Sequence, residues 1–295
     1  MKVLVAYKKS TFQIYARERR DPKLLRLIRE RDITVSKLKR THDSHERTIE
    51  AVRKALDDLG CTATLVYRAN MRTIREVDLV VTVGGDGTIL EVARHVAGVP
   101  LLGVNSAPGT SLGLFCGADR ATVREQLARH LHGELPVTPL ARLALEVNGA
   151  RLWVLNEVLY AHRNPAATSR YILSIGGRGE EQRSSGIWVS TAAGSTGGIH
   201  SAGAPVLPIT SRQALYWVRE PFIQGKERPR LLHGRIPPGR EIVLTSKMRQ
   251  GMIYVDGAHH SFPLGFGDRA RLRVGAPPLL VLGLDAARRR RLFGG

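Results

Sequence analysis

VVTVGGDGTIL, Val80 to Leu90, sets a nearly unbroken apolar run against three glycines wrapped around one aspartate, then turns apolar again. The run reads as a buried strand, and the residues after Thr88 as a helix. Each glycine adds backbone entropy that folding must overcome, so a cluster of them needs a reason. One reason is an anion. Backbone amides of a glycine turn that enters a helix point outward together and cradle a phosphate, with no Cβ to block its approach. Gly84, Gly85 and Gly87 fit that role. Asp86, negative itself, is suited instead to holding a magnesium ion or to taking a proton from an attacking hydroxyl. Transfer of phosphate to an alcohol needs alignment and charge neutralisation more than covalent chemistry, so a site this sparse is sufficient. The same residues also make a tight turn with Asp86 as a helix cap, and the motif by itself leaves both readings open.

Outward from this stretch, strand and helix alternate through about residue 132. Val3–Ala6, Thr62–Tyr67, Leu79–Val83 and Pro100–Val104 are predicted strands. Asp43 to Gly60 is a predicted helix, with Ile49, Val52, Leu56 and Leu59 on one face and a terminal glycine. Further helices follow Thr88 and Asp119. This alternation implies a Rossmann-like parallel α/β domain, whose ligands sit beyond the carboxyl ends of the strands. Those ends carry AYKK, GGDGT and GVNS. The cation-rich segment Lys8 to Arg40 reads as a solvated helical insertion, although Lys8 or Lys9 could reach a bound phosphate.

After Pro136 the period changes to two. Leu143, Leu145 and Val147 alternate, and Asn148-Gly149 offers a hairpin turn. Tyr171–Ile175, Ile187–Val189, Ile242–Leu244, Met252–Val255 and Ala270–Val274 continue the pattern, which predicts an all-β, sandwich-like domain. The expected division is therefore 1–132 for the α/β domain, 133–276 for the β-rich domain, and 277–295 for a tail that returns to the first.

The 295 residues carry 45 Lys and Arg against 26 Asp and Glu, a net charge of +19 that draws anionic partners. Aromatic residues make up only 5% of the chain, and no helix-turn-helix, RNP or zinc-finger signature accompanies the cations, so no nucleic-acid partner is expected. No apolar run nears the roughly 18 residues of a membrane span, and no basic amphipathic helix with a strongly apolar face is evident, so no membrane partner is expected either. Cys61 and Cys116 have no CxxC spacing, and the N-terminus lacks a signal-peptide core, which together predict a cytoplasmic protein. His42, His45, His259 and His260 show no metal-ligand spacing and read as surface or turn histidines. Arg288 to Arg291 reads as a solvated tail or a helix end whose cations suit the macrodipole.

GGDGT resembles the hallmark of the NAD kinases and their relatives, the diacylglycerol-type lipid kinases and the 6-phosphofructokinases. Asn156-Glu157 is similar to the NAD kinase Asn-Glu pair, and GSTGGIHSAGAP, Gly194 to Pro205, to the segment usually written GSTAYSLSAGGP. GVN at 103–105, RSSG at 183–186, VREP at 218–221 and VDG at 255–257 look most like the mitochondrial-type branch. The resemblance covers nearly the whole chain. It implies phosphate transfer from ATP to the 2′-hydroxyl of the adenosine ribose of NAD, assisted by Mg²⁺ or another divalent cation. By the same resemblance Asp86 is the general base and a magnesium ligand, while Gly84, Gly85, Gly87 and Thr88 hold the phosphates of ATP. Asn105, Asn156, Glu157, Arg183, Ser195 and Thr196 contact NAD, and the protein assembles as a homodimer or homotetramer.

Some positions depart from the family pattern. Gly198 stands where most members have tyrosine, Ala192 and Ala193 replace a proline followed by Ser or Thr, and Ser185 replaces an aspartate. These changes imply a looser NAD pocket. Leu90 stands where the lipid kinases usually have asparagine, which counts against a lipid acceptor. The β-rich second half counts against a 6-phosphofructokinase. A non-catalytic nucleotide-binding protein is the remaining alternative, and the intact Asp86 argues against it.

Overall fold

Apolar runs rich in Val and Leu make the strands of the first half, and alternating patterns make those of the second. A computed structural model describes residues 1–293 other than 73, 75 and 224–228. The chain divides into two units, Met1–Thr138 with Leu280–Asp285, and Pro139–Leu279 with the residues from Ala286 onward.

In the first unit, β1 (Lys2–Tyr7) leads through a π-helical turn at Phe12–Glu18, α1 (Pro22–Arg29) and a 3-10 turn at Ile33–Val35 to α2 (Leu38–Asp58). Next come β2 (Thr62–Tyr67), β3 (Leu79–Gly84), α3 (Asp86–Ala93), β4 (Leu101–Asn105), β5 (Cys116–Asp119) and α4 (Val123–Leu131). The strands are parallel in the order β2-β1-β3-β4, with β5 beside β4 and Val281 paired to Leu101. Every residue of β3 and β4 is buried, as expected of central strands covered on both faces. Val52 and Leu56 of α2 and Leu127 of α4 pack on Val5, Val81 and Val104. Burying each such side chain contributes about 1.5–3 kcal/mol. The chain steps outward from β1 to β2 and returns to β3 on the other side of β1. That reversal is the topological switch point where open α/β sheets bind ligands.

Within the segment read as a solvated insertion, α1 is a short basic amphipathic helix: Lys23, Arg26 and Arg29 alternate with half-buried Leu24, Leu25, Leu27 and Ile28. This corrects the expectation of none. A second correction concerns the histidines. His42 and His45 lie inside α2, which begins at Leu38 rather than Asp43, and both are buried on its inward face. His42 Nδ1 lies 3.0 Å from Ser10 Oγ, and its ring stacks on Phe12.

The second unit takes up β6 (Val137–Val147), β7 (Ala150–Val154), β8 (Glu157–His162), β9 (Ser169–Ile175), β10 (Arg178–Ser184) and β11 (Gly186–Ser190). It continues with a four-residue α5 (Gly198–Ser201), β12 (Ala214–Arg219), β13 (His233–Ile236), β14 (Glu241–Ser246), β15 (Gly251–Val255), β16 (His260–Leu264), β17 (Arg269–Leu282) and α6 (Ala286–Phe293). Asn148 and Gly149 both have positive φ, as a two-residue hairpin turn between β6 and β7 requires. Antiparallel strands form two layers, one running β10-β9-β14-β17 with β6 and β7, the other β13-β12-β11-β8-β15-β16. Tyr171, Leu173 and Leu244 from one layer meet Val158, Tyr160 and Val189 from the other in a shared core, so the unit is a β-sandwich.

Arg289 of α6 corrects the picture of a solvated basic end. It is buried and donates to the carbonyls of Leu207 and Ala192, both at 2.7 Å. Among the described residues no helix is long and apolar enough to cross a membrane.

Candidate functional site

β3 delivers the glycine loop at its carboxyl end, beside the end of β1. Gly84 has to be glycine: a Cβ there would stand 2.1 Å from Thr88 Oγ1. Gly87 is exposed, and a Cβ there would meet nothing within 4 Å, so nothing in the protein itself demands glycine at that position. Gly85 caps α3 through extended backbone, and Asp86 is the first helical residue rather than the cap. The Asp86 carboxylate instead accepts the amides of Leu114 and Phe115, each at 2.9 Å, one on each oxygen. It is thus fixed in orientation, and each oxygen retains acceptor capacity.

Cations gather around this loop. Arg68, just past β2, donates to Gly87 O at 3.2 Å and Thr88 Oγ1 at 3.3 Å. Lys8, just past β1, is pulled below its ordinary pKa by burial and then by the Arg68 guanidinium. Lys9 differs, being paired with Glu18 at 2.8 Å. His45 is held neutral by burial, with a pKa of about 4, so its Nε2 donates to Lys8 O at 2.6 Å and steadies that turn. Two mutually repelling cations beside a helix N-terminus are stabilised by an anion. Asn105, at the end of β4, is buried; its amide accepts from Ala107 N and donates to Ser111 O, bracing the loop that follows.

The second unit carries the other predicted residues. Asp256, at positive φ after β15, accepts the amides of Leu155, Asn156 and Glu157 at 3.0, 2.7 and 3.2 Å. This carboxylate, whose VDG motif gave the only sequence signal for it, sets the backbone on which the Asn-Glu pair stands. Asn156 Oδ1 and Glu157 Oε2 are buried with no hydrogen-bond partner. Burial, and then the charge of Asp256, push the Glu157 carboxyl up to about 8. Glu157 borders a mostly carbon-lined cavity of about 330 Å³ with Leu159, Trp188, Tyr254, Gly257 and Ala258. A neighbouring cavity of about 280 Å³ shares Leu159 and Tyr254 and is lined also by His162, Arg163, Ser185 and Arg219, the last of which pairs with Glu220 at 3.9 Å.

Ser195 is fully buried. Its hydroxyl donates to Ala192 O and accepts from Leu207 N and Arg289 Nη2, so it shapes the GST turn from within. Thr196, next in that turn, is half-buried, and Arg183 is exposed on β10. Arg68, Trp188, Tyr254 and Arg289 were not singled out from the sequence, because only tertiary pairing brings them to these places.

A glycine loop at the switch point and a half-buried Asn-Glu pair can be compared with known proteins. A family model described as the ATP-NAD kinase N-terminal domain matches residues 7–135. A probable NADH kinase of Oryza sativa subsp. japonica is 33% identical over 263 residues, covering 81% of both chains. The chain belongs to the NAD kinase family. Two solved structures share the fold of this NAD kinase family member. One is an NAD kinase from Archaeoglobus fulgidus in complex with ATP, at TM-score 0.69 and 22% identity, covering 100% of this chain and 98% of that one. The other is yeast NADH kinase complexed with NADH, at TM-score 0.72 and 14% identity, covering 99% and 86%.

Proposed function

We propose that this NAD kinase family member transfers the terminal phosphoryl group of ATP to the 2′-hydroxyl of the adenosine ribose of NAD or NADH. The observation that carries this reading is the glycine loop at the switch point, where an oriented Asp86 is accompanied by Arg68 and Lys8. The amides of Gly85 and Gly87, Thr88 and the two cations would take the phosphates of ATP. Asp86 would accept the proton of the attacking hydroxyl. In the second unit, the unpartnered oxygens of Asn156 and Glu157 suit the adenine and ribose hydroxyls of the acceptor, with Thr196 beside them, Ser195 shaping the turn, and Arg183 as a further dinucleotide contact; in the first unit, Asn105 braces the loop after β4.

Magnesium fits this donor set in one way. Among the described residues no three His, Cys, Asp or Glu side chains converge, whereas magnesium commonly rides on substrate phosphates with one or two protein carboxylates. Asp86 is the carboxylate of the loop that would hold it. When bound with ATP, the ion would neutralise charge on the transferring group.

We assign the reduced dinucleotide as the preferred acceptor. The oxidised nicotinamide is a cation, and the cavity beside that of Glu157 presents Arg163, with serine at 185. The rice relative is named as a probable NADH kinase, and the yeast structure holds NADH. The enzyme would work in the cytoplasm, in keeping with Cys61 and Cys116, which form no disulfide, as a homodimer or homotetramer joined through the β-rich half. The deciding assay supplies Mg-ATP or polyphosphate with NAD, NADH or diacylglycerol. NADP or NADPH is the expected product. Phosphatidic acid in their place would make the protein a lipid kinase, and binding without turnover would make it a sensor.

A further inference from the structure

Strand register sets Tyr254, Leu159 and Trp188 in a row, since Tyr254 pairs with Leu159 and Leu159 with Trp188. The residues that alternate with them, Val158, Tyr160, Ile187, Val189, Ile253 and Val255, form the core. The row therefore stands on the opposite face of the sheet. An antiparallel sheet usually gives that face to polar residues. Here it is apolar and aromatic, and it borders the cavity of about 330 Å³ that contains Glu157.

Position 198 explains how the indole comes to stand there. A Cβ on Gly198 would be 3.0 Å from Trp188 Cζ2 and 3.1 Å from Cη2, tighter than an ordinary contact. Gly198 begins the short α5 without a positive φ, so its backbone does not require glycine. The missing side chain is clearance for the ring. The room that a small residue at 198 implies for the pocket is taken by Trp188.

We propose that Trp188 is the stacking wall for the adenine ring of the acceptor dinucleotide, with Gly198 as the clearance that admits it. The inference rests on the dinucleotide reading above. A flat ring beside a buried carboxyl suits an adenosine, whose base has a π-face and whose ribose offers hydroxyl donors.

The test uses the full-length protein as wild type, Trp188→Phe, Trp188→Val and the double variant Trp188→Val with Gly198→Tyr. Trp188→Val should raise the dinucleotide KM roughly tenfold, the order expected for losing one base-stacking contact. Its kcat and ATP KM should stay within about twofold, while Trp188→Phe keeps most of the affinity. The double variant should recover dinucleotide affinity, because a ring returns at the cleared position. NAD should quench wild-type tryptophan fluorescence, and this quenching should be lost in Trp188→Phe, which retains Trp153 and Trp217. The proposal is overturned by an unchanged dinucleotide KM in Trp188→Val, by a rise confined to the ATP KM, or by full quenching in Trp188→Phe. The last readout holds even where Trp188→Val does not fold. Quenching at Trp188 without phosphorylated product would overturn the kinase reading and leave the stacking wall standing. Normal turnover with an unchanged KM would do the reverse.

Discussion

Asp86 and Glu157 are both carboxylates, and their surroundings give them different chemistry. Asp86 is oriented by the amides of Leu114 and Phe115. Asp86→Asn should cut turnover by roughly 10²- to 10⁴-fold while nucleotide still binds. Its new amide group also faces a backbone N–H, at a cost of about 1–3 kcal/mol, so the melting temperature should fall by several degrees. Single-turnover kinetics and calorimetric melting check the two effects separately, and undiminished turnover would remove Asp86 as the base. Glu157, pushed to about 8 from an ordinary 4.5, is protonated at neutral pH in the folded protein. The unfolded chain gives up that proton at the lower value. Stability should therefore decline as pH rises from about 4.5 through about 8 and then level off. Glu157→Gln should lose this component of the slope, which urea unfolding at several pH values would show. Ribose hydroxyls donating to Glu157 favour its ionised form, so dinucleotide binding near pH 7 should release a proton, measurable by titration calorimetry in buffers of different ionisation heat.

At the scale of elements, the glycine turn between β3 and α3 separates two kinds of glycine. Gly84→Ala pushes a methyl onto Thr88, so both stability and ATP affinity should fall. Gly87→Ala meets nothing in the protein, so the variant should melt like wild type and yet bind ATP more weakly if phosphate approaches this backbone. Differential scanning fluorimetry with and without Mg-ATP distinguishes them, and normal ATP affinity in Gly87→Ala would take the phosphate away from that amide. The turn and its flanking strand were legible because apolar run, glycines and helix follow each other within a few residues. The inward face of α2 was not, since the burial of His42 and His45 depends on Ser10, Phe12 and Lys8, which are distant in sequence. Arg289 escaped notice for the same reason. Its partners Ala192, Ser195 and Leu207 lie 82 to 97 residues away, and a run of four arginines has no period that marks one of them as buried. Arg289→Met should lower the melting temperature by several degrees, because the carbonyls of Ala192 and Leu207 lose a charged donor. It should also raise the dinucleotide KM through the GST turn, a pairing that melting curves alongside steady-state kinetics would reveal.

At the scale of the whole molecule, the change from alternating helix and strand to a period of two was readable near Pro136, because each half repeats its own pattern many times. The route of the last strand was not. β17 belongs to the sandwich from Arg269, yet its end at Leu280 to Leu282 is counted with the first unit, where Val281 pairs with Leu101 and Leu282 joins the core. Gly283 then donates to Pro136 O. The first unit is thus discontinuous in sequence, which matters while the protein is being made. A nascent chain that has reached Thr138 still lacks the residues that finish its own sheet, and they leave the ribosome only after the entire sandwich has been synthesised. The amino-terminal half must wait for the carboxyl-terminal end before it can close, so a polypeptide stopped at 138 should show the circular dichroism of an incompletely folded chain.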